Sequence, residues 1–111
     1  MLIHHMMGAI VTVVLGLFGL FFPRQAAKFT SIEPSGAIGL SEVRATYGGF
    51  FLVLGGYCLL VHEPIAIQML GCAWLGAAAA RLFSVVVDRS RAPKNLGGVL
   101  FEAGIGALCV L

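Results

Sequence analysis

The chain has 111 residues, of which 59% are hydrophobic and 11% charged, with a formal net charge of +2. Soluble domains are roughly 45–50% apolar and about 25% charged, so this composition excludes a nucleic-acid-binding domain, a disordered tail and an ordinary soluble enzyme. It implies one integral membrane domain over 1–111, all-α, built as a four-helix bundle with antiparallel up-down transmembrane helices.

A membrane-crossing helix needs about 20 mostly apolar residues. The first expected span covers 2–22, which holds no Lys, Arg, Asp or Glu, and Pro23 stops it. A cleaved leader is the competing reading, but it needs a basic start and a shorter apolar run. Residues 23–29 predict a short interfacial helix, with Arg24 and Lys28 reaching toward lipid headgroups. Glu33-Pro34-Ser35-Gly36 is a turn signal. The second span is expected at 41–61 and the third at 65–87, separated by His62-Glu63-Pro64. A polar turn over 88–94 precedes a fourth span at 95–111. The apolar runs are continuous rather than alternating, which excludes a transmembrane β-barrel.

All 7 Lys and Arg residues fall in, or beside, the first and third connections. The positive-inside rule therefore predicts that connections 23–40 and 88–94 face the cytoplasm, with both termini outside.

Charges inside spans are rare and face the bundle interior. Arg81 precedes Asp88 by seven residues, and Glu102 follows Asn95 by seven. A rise of 1.5 Å per residue puts both roughly 10 Å from the same surface, on neighbouring helices and with opposite sign. Arg81, Ser84 and Asp88 share one helical face; Arg44, Tyr47 and Phe51 share another. The expectation is an intramembrane polar cluster of Glu42, Arg44, Tyr47, Arg81, Ser84, Asp88 and Glu102, buried near the cytoplasmic side. Three roles are open to it: a structural ion pair, a site where the arginines hold an anionic group, and catalysis.

Glycines recur at helical spacing. Gly8, Gly16, Gly48, Gly49, Gly55, Gly76, Gly98 and Gly106 are the expected helix-packing positions, where small residues let backbones approach. The same faces suit either intrachain packing or a homo-oligomer. Cys58, Cys72 and Cys109 lack CxxC spacing and read as small buried hydrophobes rather than a redox pair. His4-His5-Met6-Met7 offers copper-type ligands, but adjacent residues point to different faces, so no metal site and no cofactor is expected. No nucleophile, phosphate or zinc-hydrolase motif is present, so an enzyme is the less favoured reading.

The stretch from Gly39 to Gly49, Gly-Leu-Ser-Glu-Val-Arg-Ala-Thr-Tyr-Gly-Gly, resembles the signature of an uncharacterised bacterial membrane family, domain of unknown function 4345. The resemblance extends over nearly the whole chain. It covers a first helix ending in Phe-Pro, the Glu-Pro-Ser-Gly loop, Arg44, Tyr47, Gly48 and Gly49, Arg81 late in the third helix and Glu102 in the fourth. More loosely, the chain is similar to DoxX-like four-helix membrane proteins. The resemblance implies four spans and points to the same polar residues, but brings no activity.

Two functions are therefore expected of different kinds. The first is a non-catalytic binding or accessory module that holds a lipid, a quinone or a partner membrane protein. The second is an oligomeric transporter or channel component with Glu102 as a proton- or cation-linked group. Membrane lipid, a second copy or a partner membrane protein are the expected partners; nucleic acid is not.

Overall fold

A computed structural model describes residues 2–111, and they are all helix and connection, without strands among the described residues. The helices are α1 (Ile3–Phe21), α2 (Pro23–Phe29), α3 (Gly36–Val43), a π-helical segment (Arg44–Phe50), α4 (Phe51–Val61), α5 (Pro64–Val87) and α6 (Pro93–Val110). Helix α3, the π segment and α4 form one uninterrupted helical run from Gly36 to Val61. Among the described residues, three helices are long and apolar enough to cross a membrane: Ile3–Phe21, Gly36–Val61 and Pro64–Val87. Helix α6 carries Lys94, Asn95 and Glu102 within its 18 residues, and these dilute its apolar character.

The boundaries differ from the sequence expectation for identifiable reasons. Pro64 and Pro93, which read as breaks, are the first residues of α5 and α6. Proline lacks only an N–H that a first turn leaves unpaired anyway, and its fixed φ suits a helix start. The second long helix begins at Gly36, five residues before the expected Ser41. Ser35 is its extended N-cap residue, and Gly36 takes a left-handed φ of 64° that glycine tolerates. The long connection expected over 23–40 thus contains α2 and the start of α3, leaving only 30–35 outside helices. Helix α2 forms at the place expected for a short interfacial helix. It ends in a Schellman turn: Ser31 N–H donates to the Lys28 carbonyl at 3.1 Å and Ile32 N–H to the Ala27 carbonyl at 2.8 Å.

The chain divides into two compact units, one formed by 2–8 with His62–Leu111 and the other by Ala9–Val61. In the first, α5 and α6 form an antiparallel hairpin. Its α5 face is Ile67, Leu70, Gly71, Trp74 and Ala78, and α6 contributes Ile105, Gly106 and Cys109, all buried. The spacing of three and four residues keeps each set on one helical stripe. The Trp74 and Phe101 rings meet edge-on at 6.4 Å. Backbone approach is close, since a Cβ on Gly106 would lie 2.6 Å from Leu75 Cγ and one on Gly71 would lie 2.9 Å from the Gly106 carbonyl oxygen.

In the second unit, Ala26, Ala27 and Val43 form a small core with Phe18 and Tyr47 packed against it. Gly16 and Gly19 of α1 press on the π segment and the start of α4. A Cβ at Gly16 would come within 2.5 Å of Leu52 N, and one at Gly19 would collide with the Tyr47 carbonyl. Gly48 meets Leu20 from the other side, with the same hypothetical atom 2.7 Å from Leu20 Cα. Gly55 packs equally closely on Ala9 and Val13.

Two expected packing glycines lie elsewhere. Gly76 has nothing within 4 Å, because it sits on the side of α5 opposite the Ile67–Trp74–Ala78 stripe. Gly49 has only the Arg44 carbonyl, at 3.9 Å, because its neighbour Gly48 takes the close contact. The cysteine expectation also needs correction: Cys58 and Cys109 are buried, but Cys72 is exposed on the uncovered side of α5. Replacing Gly76 by alanine is expected to leave the thermal midpoint in detergent unchanged or slightly raised, because alanine is the better helix former by about 1 kcal/mol.

Candidate functional site

The polar site belongs to the α5–α6 hairpin. Arg81 lies three residues beyond Ala78 on the buried stripe of α5, so its side chain is directed at α6. Arg81 Nε donates to Glu102 Oε1 at 2.7 Å and Nη2 donates to Glu102 Oε2 at 3.0 Å. This is a bidentate pair, the strongest geometry open to guanidinium and carboxylate. The third guanidinium nitrogen, Nη1, donates to Asn95 Oδ1 at 2.8 Å. Asn95 Nδ2 in turn donates to the Ser90 carbonyl at 2.8 Å and to Ser90 Oγ at 3.1 Å. The network therefore runs from Glu102 in mid-helix through Arg81 to the loop that joins the two helices.

Gly98 makes room for it. A Cβ there would stand 3.0 Å from Arg81 Nε and 3.2 Å from Cζ. The guanidinium is held at both ends and has little freedom to yield. Gly98→Val is accordingly expected to disturb the pair and lower stability by about 1–3 kcal/mol, read as a lower thermal midpoint in mild detergent. Gly97→Val, with open space around it, serves as the control.

Burial is uneven. The Glu102 side chain is 11% exposed and that of Arg81 is 38% exposed. Ser84 is half-buried, and its hydroxyl donates to Asp88 Oδ2 at 2.6 Å, while Asp88 itself is exposed. The expected buried cluster thus reduces to one buried carboxylate with a half-buried arginine over it.

Glu42, Arg44 and Tyr47 belong to the second unit and have other surroundings there. Glu42 and Arg44 are exposed. Arg44 Nη1 donates to the Leu20 carbonyl, close to the C-terminal end of α1. Pro23 lacks an N–H and starts a new helix, so the last carbonyls of α1 have no following turn to bond. A cation at that position also suits the negative end of the helix dipole. Arg44 is thus the cap of α1. Arg44→Gln is expected to cost about 1 kcal/mol at this exposed position, with Arg44→Lys intermediate, as read from thermal midpoints. Tyr47 packs its ring edge-on against Phe51 at 5.9 Å and against the Ala26–Ala27–Val43 core.

Sequence reasoning left Asn95 and Ser90 out of the cluster. The signal for Asn95 was present, since it shares a helical face with Glu102 seven residues on; Ser90 lies in a loop, where no periodicity applies. Gly19 and Gly71 were also overlooked as close-approach positions. Among the described residues, no group of three or more His, Cys, Asp or Glu side chains is placed to hold a metal ion. A half-open hollow of about 320 Å³ lies at the other end of the hairpin, between His5, Gln68, Ile67 and Cys109.

The segment from Arg44 to Gly49 lies wholly in the π helix, and Arg81 and Glu102 are paired. A family model described as a domain of unknown function (DUF4345) matches residues 1–111. The chain belongs to this family. No curated protein and no solved structure matches it, and these comparisons lend no support to the looser likeness to DoxX-like proteins. In this DUF4345 chain the Arg44–Gly49 motif serves packing: Arg44 caps α1 and Gly48 admits the α1 backbone.

Proposed function

We propose that this protein is a non-catalytic binding or accessory module of the bacterial inner membrane, a four-span bundle that holds a lipid, a quinone or a partner helix. The observation that carries this reading is the closed Arg81 network. Both carboxylate oxygens of Glu102 and three guanidinium nitrogens of Arg81 are engaged by one another and by Asn95. A charge pair satisfied in this way fixes the register of two helices. Within this network neither charged side chain is poised as a nucleophile or base.

Helix α6 is the fourth span in this reading. It runs back along α5, and its charged residue inside the apolar stretch is neutralised by Arg81. The basic residues that follow α1 and α5 favour a cytoplasmic position for 23–40 and 88–94. A reporter inserted after Arg91 is expected to report the cytoplasm; a periplasmic signal would reverse the topology.

The specific observation on the side of transport is the burial of Glu102. Proton flux into liposomes carrying the purified protein separates the two readings. The accessory reading predicts the same leak as empty liposomes. A flux that Glu102→Gln abolishes would establish the transport reading instead.

A further inference from the structure

The corner between α1 and α2 combines features that the Arg81 network does not use. Helix α2 buries Pro23, Ala26 and Ala27, and the two alanines join Val43 in the core on which Phe18 and Tyr47 pack. Arg24 and Lys28 are four residues apart and both exposed, so they share an outward face of the same short helix. Phe22 and Phe29, at its two ends, are 55% and 64% exposed. Arg44 brings a third cation to this corner through its bond to the Leu20 carbonyl. No acidic residue occurs before Glu33. Glu33 and Glu42, the acidic residues of this unit, lie beyond α2 and are exposed.

Water would disfavour two large exposed phenyl rings, whereas the acyl boundary of a bilayer accommodates them. The ammonium and guanidinium beside them are then at headgroup level, where anionic phosphates lie. We propose that this corner is a contact site for anionic phospholipid, in which Arg24 and Lys28 bind a headgroup phosphate, Arg44 adds to the field, and Phe22 and Phe29 enter the acyl region. The site rests only on α1 being a membrane helix and is independent of the role assigned to Arg81 and Glu102.

The test uses the full chain in nanodiscs of phosphatidylglycerol and phosphatidylcholine, followed by gentle release and native mass spectrometry of the lipids retained. The wild type is expected to retain phosphatidylglycerol preferentially. Each basic residue near a charged surface contributes a factor of roughly five in preference, so Arg24→Gln with Lys28→Gln should lower it roughly 25-fold. Arg24→Lys with Lys28→Arg keeps both charges and should preserve it. Both side chains are exposed, so folding is expected to survive; a matching thermal midpoint verifies that, and raised salt on the wild type gives the same loss without mutation. Arg89→Gln with Arg91→Gln should leave the preference in place. Equal retention of both lipids by the wild type, or a preference that follows Arg89 and Arg91 instead, would overturn the proposal.

Discussion

Gly48→Val is expected to destabilise the protein by about 3 kcal/mol, the upper part of the range for overpacking a tight contact. The reason is what the new side chain would meet. Even a single Cβ at Gly48 would lie 2.7 Å from both Leu20 Cα and Leu20 N. Those are backbone atoms, which have no rotamer by which to retreat. On the facing helix, Gly16 and Gly19 are equally constrained by Leu52 and by Tyr47 and Gly48. Relief at one contact therefore tightens another. Gly56→Val, with nothing within 4 Å, is expected to change stability by no more than about 1 kcal/mol. Thermal unfolding in a mild detergent, followed by the Trp74 fluorescence or by circular dichroism, compares the two variants directly.

Glu102→Ala is expected to cost about 3 kcal/mol, for a different reason. The substitution creates a small void, but its main effect is to leave the guanidinium of Arg81 without its carboxylate inside the hairpin. Breaking a buried pair from one side costs roughly 3–5 kcal/mol. The low end applies because the Arg81 side chain is 38% exposed and can recover some hydration. Arg81→Ala should be the worse of the two single changes. It leaves a carboxylate that is only 11% exposed with no positive partner, and it also strands Asn95 Oδ1. Loss of the Asn95 link alone, in Asn95→Ala, should cost about 1–2 kcal/mol, the range for a hydrogen bond to a charged group.

How much of this was legible in the sequence depends on the kind of signal. Apolar run length located α1, α5 and the second long helix, because a membrane-crossing helix must hide its backbone over a fixed thickness. Proline was misread at positions 64 and 93: it cannot continue a helix, but it can begin one, and only the flanking conformation tells which. Arg81 and Glu102 are paired because depth along two antiparallel helices follows from residue counts. The same counting could not place Arg44, since depth alone does not say which neighbour a helix face meets. Its partner is a backbone carbonyl of α1, which no side-chain pattern announces. The π helix from Arg44 to Phe50 was equally silent. Within it, Gly48 rather than its neighbour Gly49 meets Leu20. Gly76 shows the converse, since correct helical spacing does not say whether a face is covered.

The central claim is that Arg81 and Glu102 act on one another as the structural lock of the α5–α6 hairpin. A double-mutant cycle with Arg81→Met, Glu102→Met and the double variant measures this coupling directly, through unfolding free energies in detergent. Each single change should destabilise by about 3 kcal/mol, and the double variant should be more stable than either, because two apolar side chains replace the pair without leaving a lone charge. Additive losses with no coupling, or a Glu102→Met variant as stable as the wild type, would contradict the account.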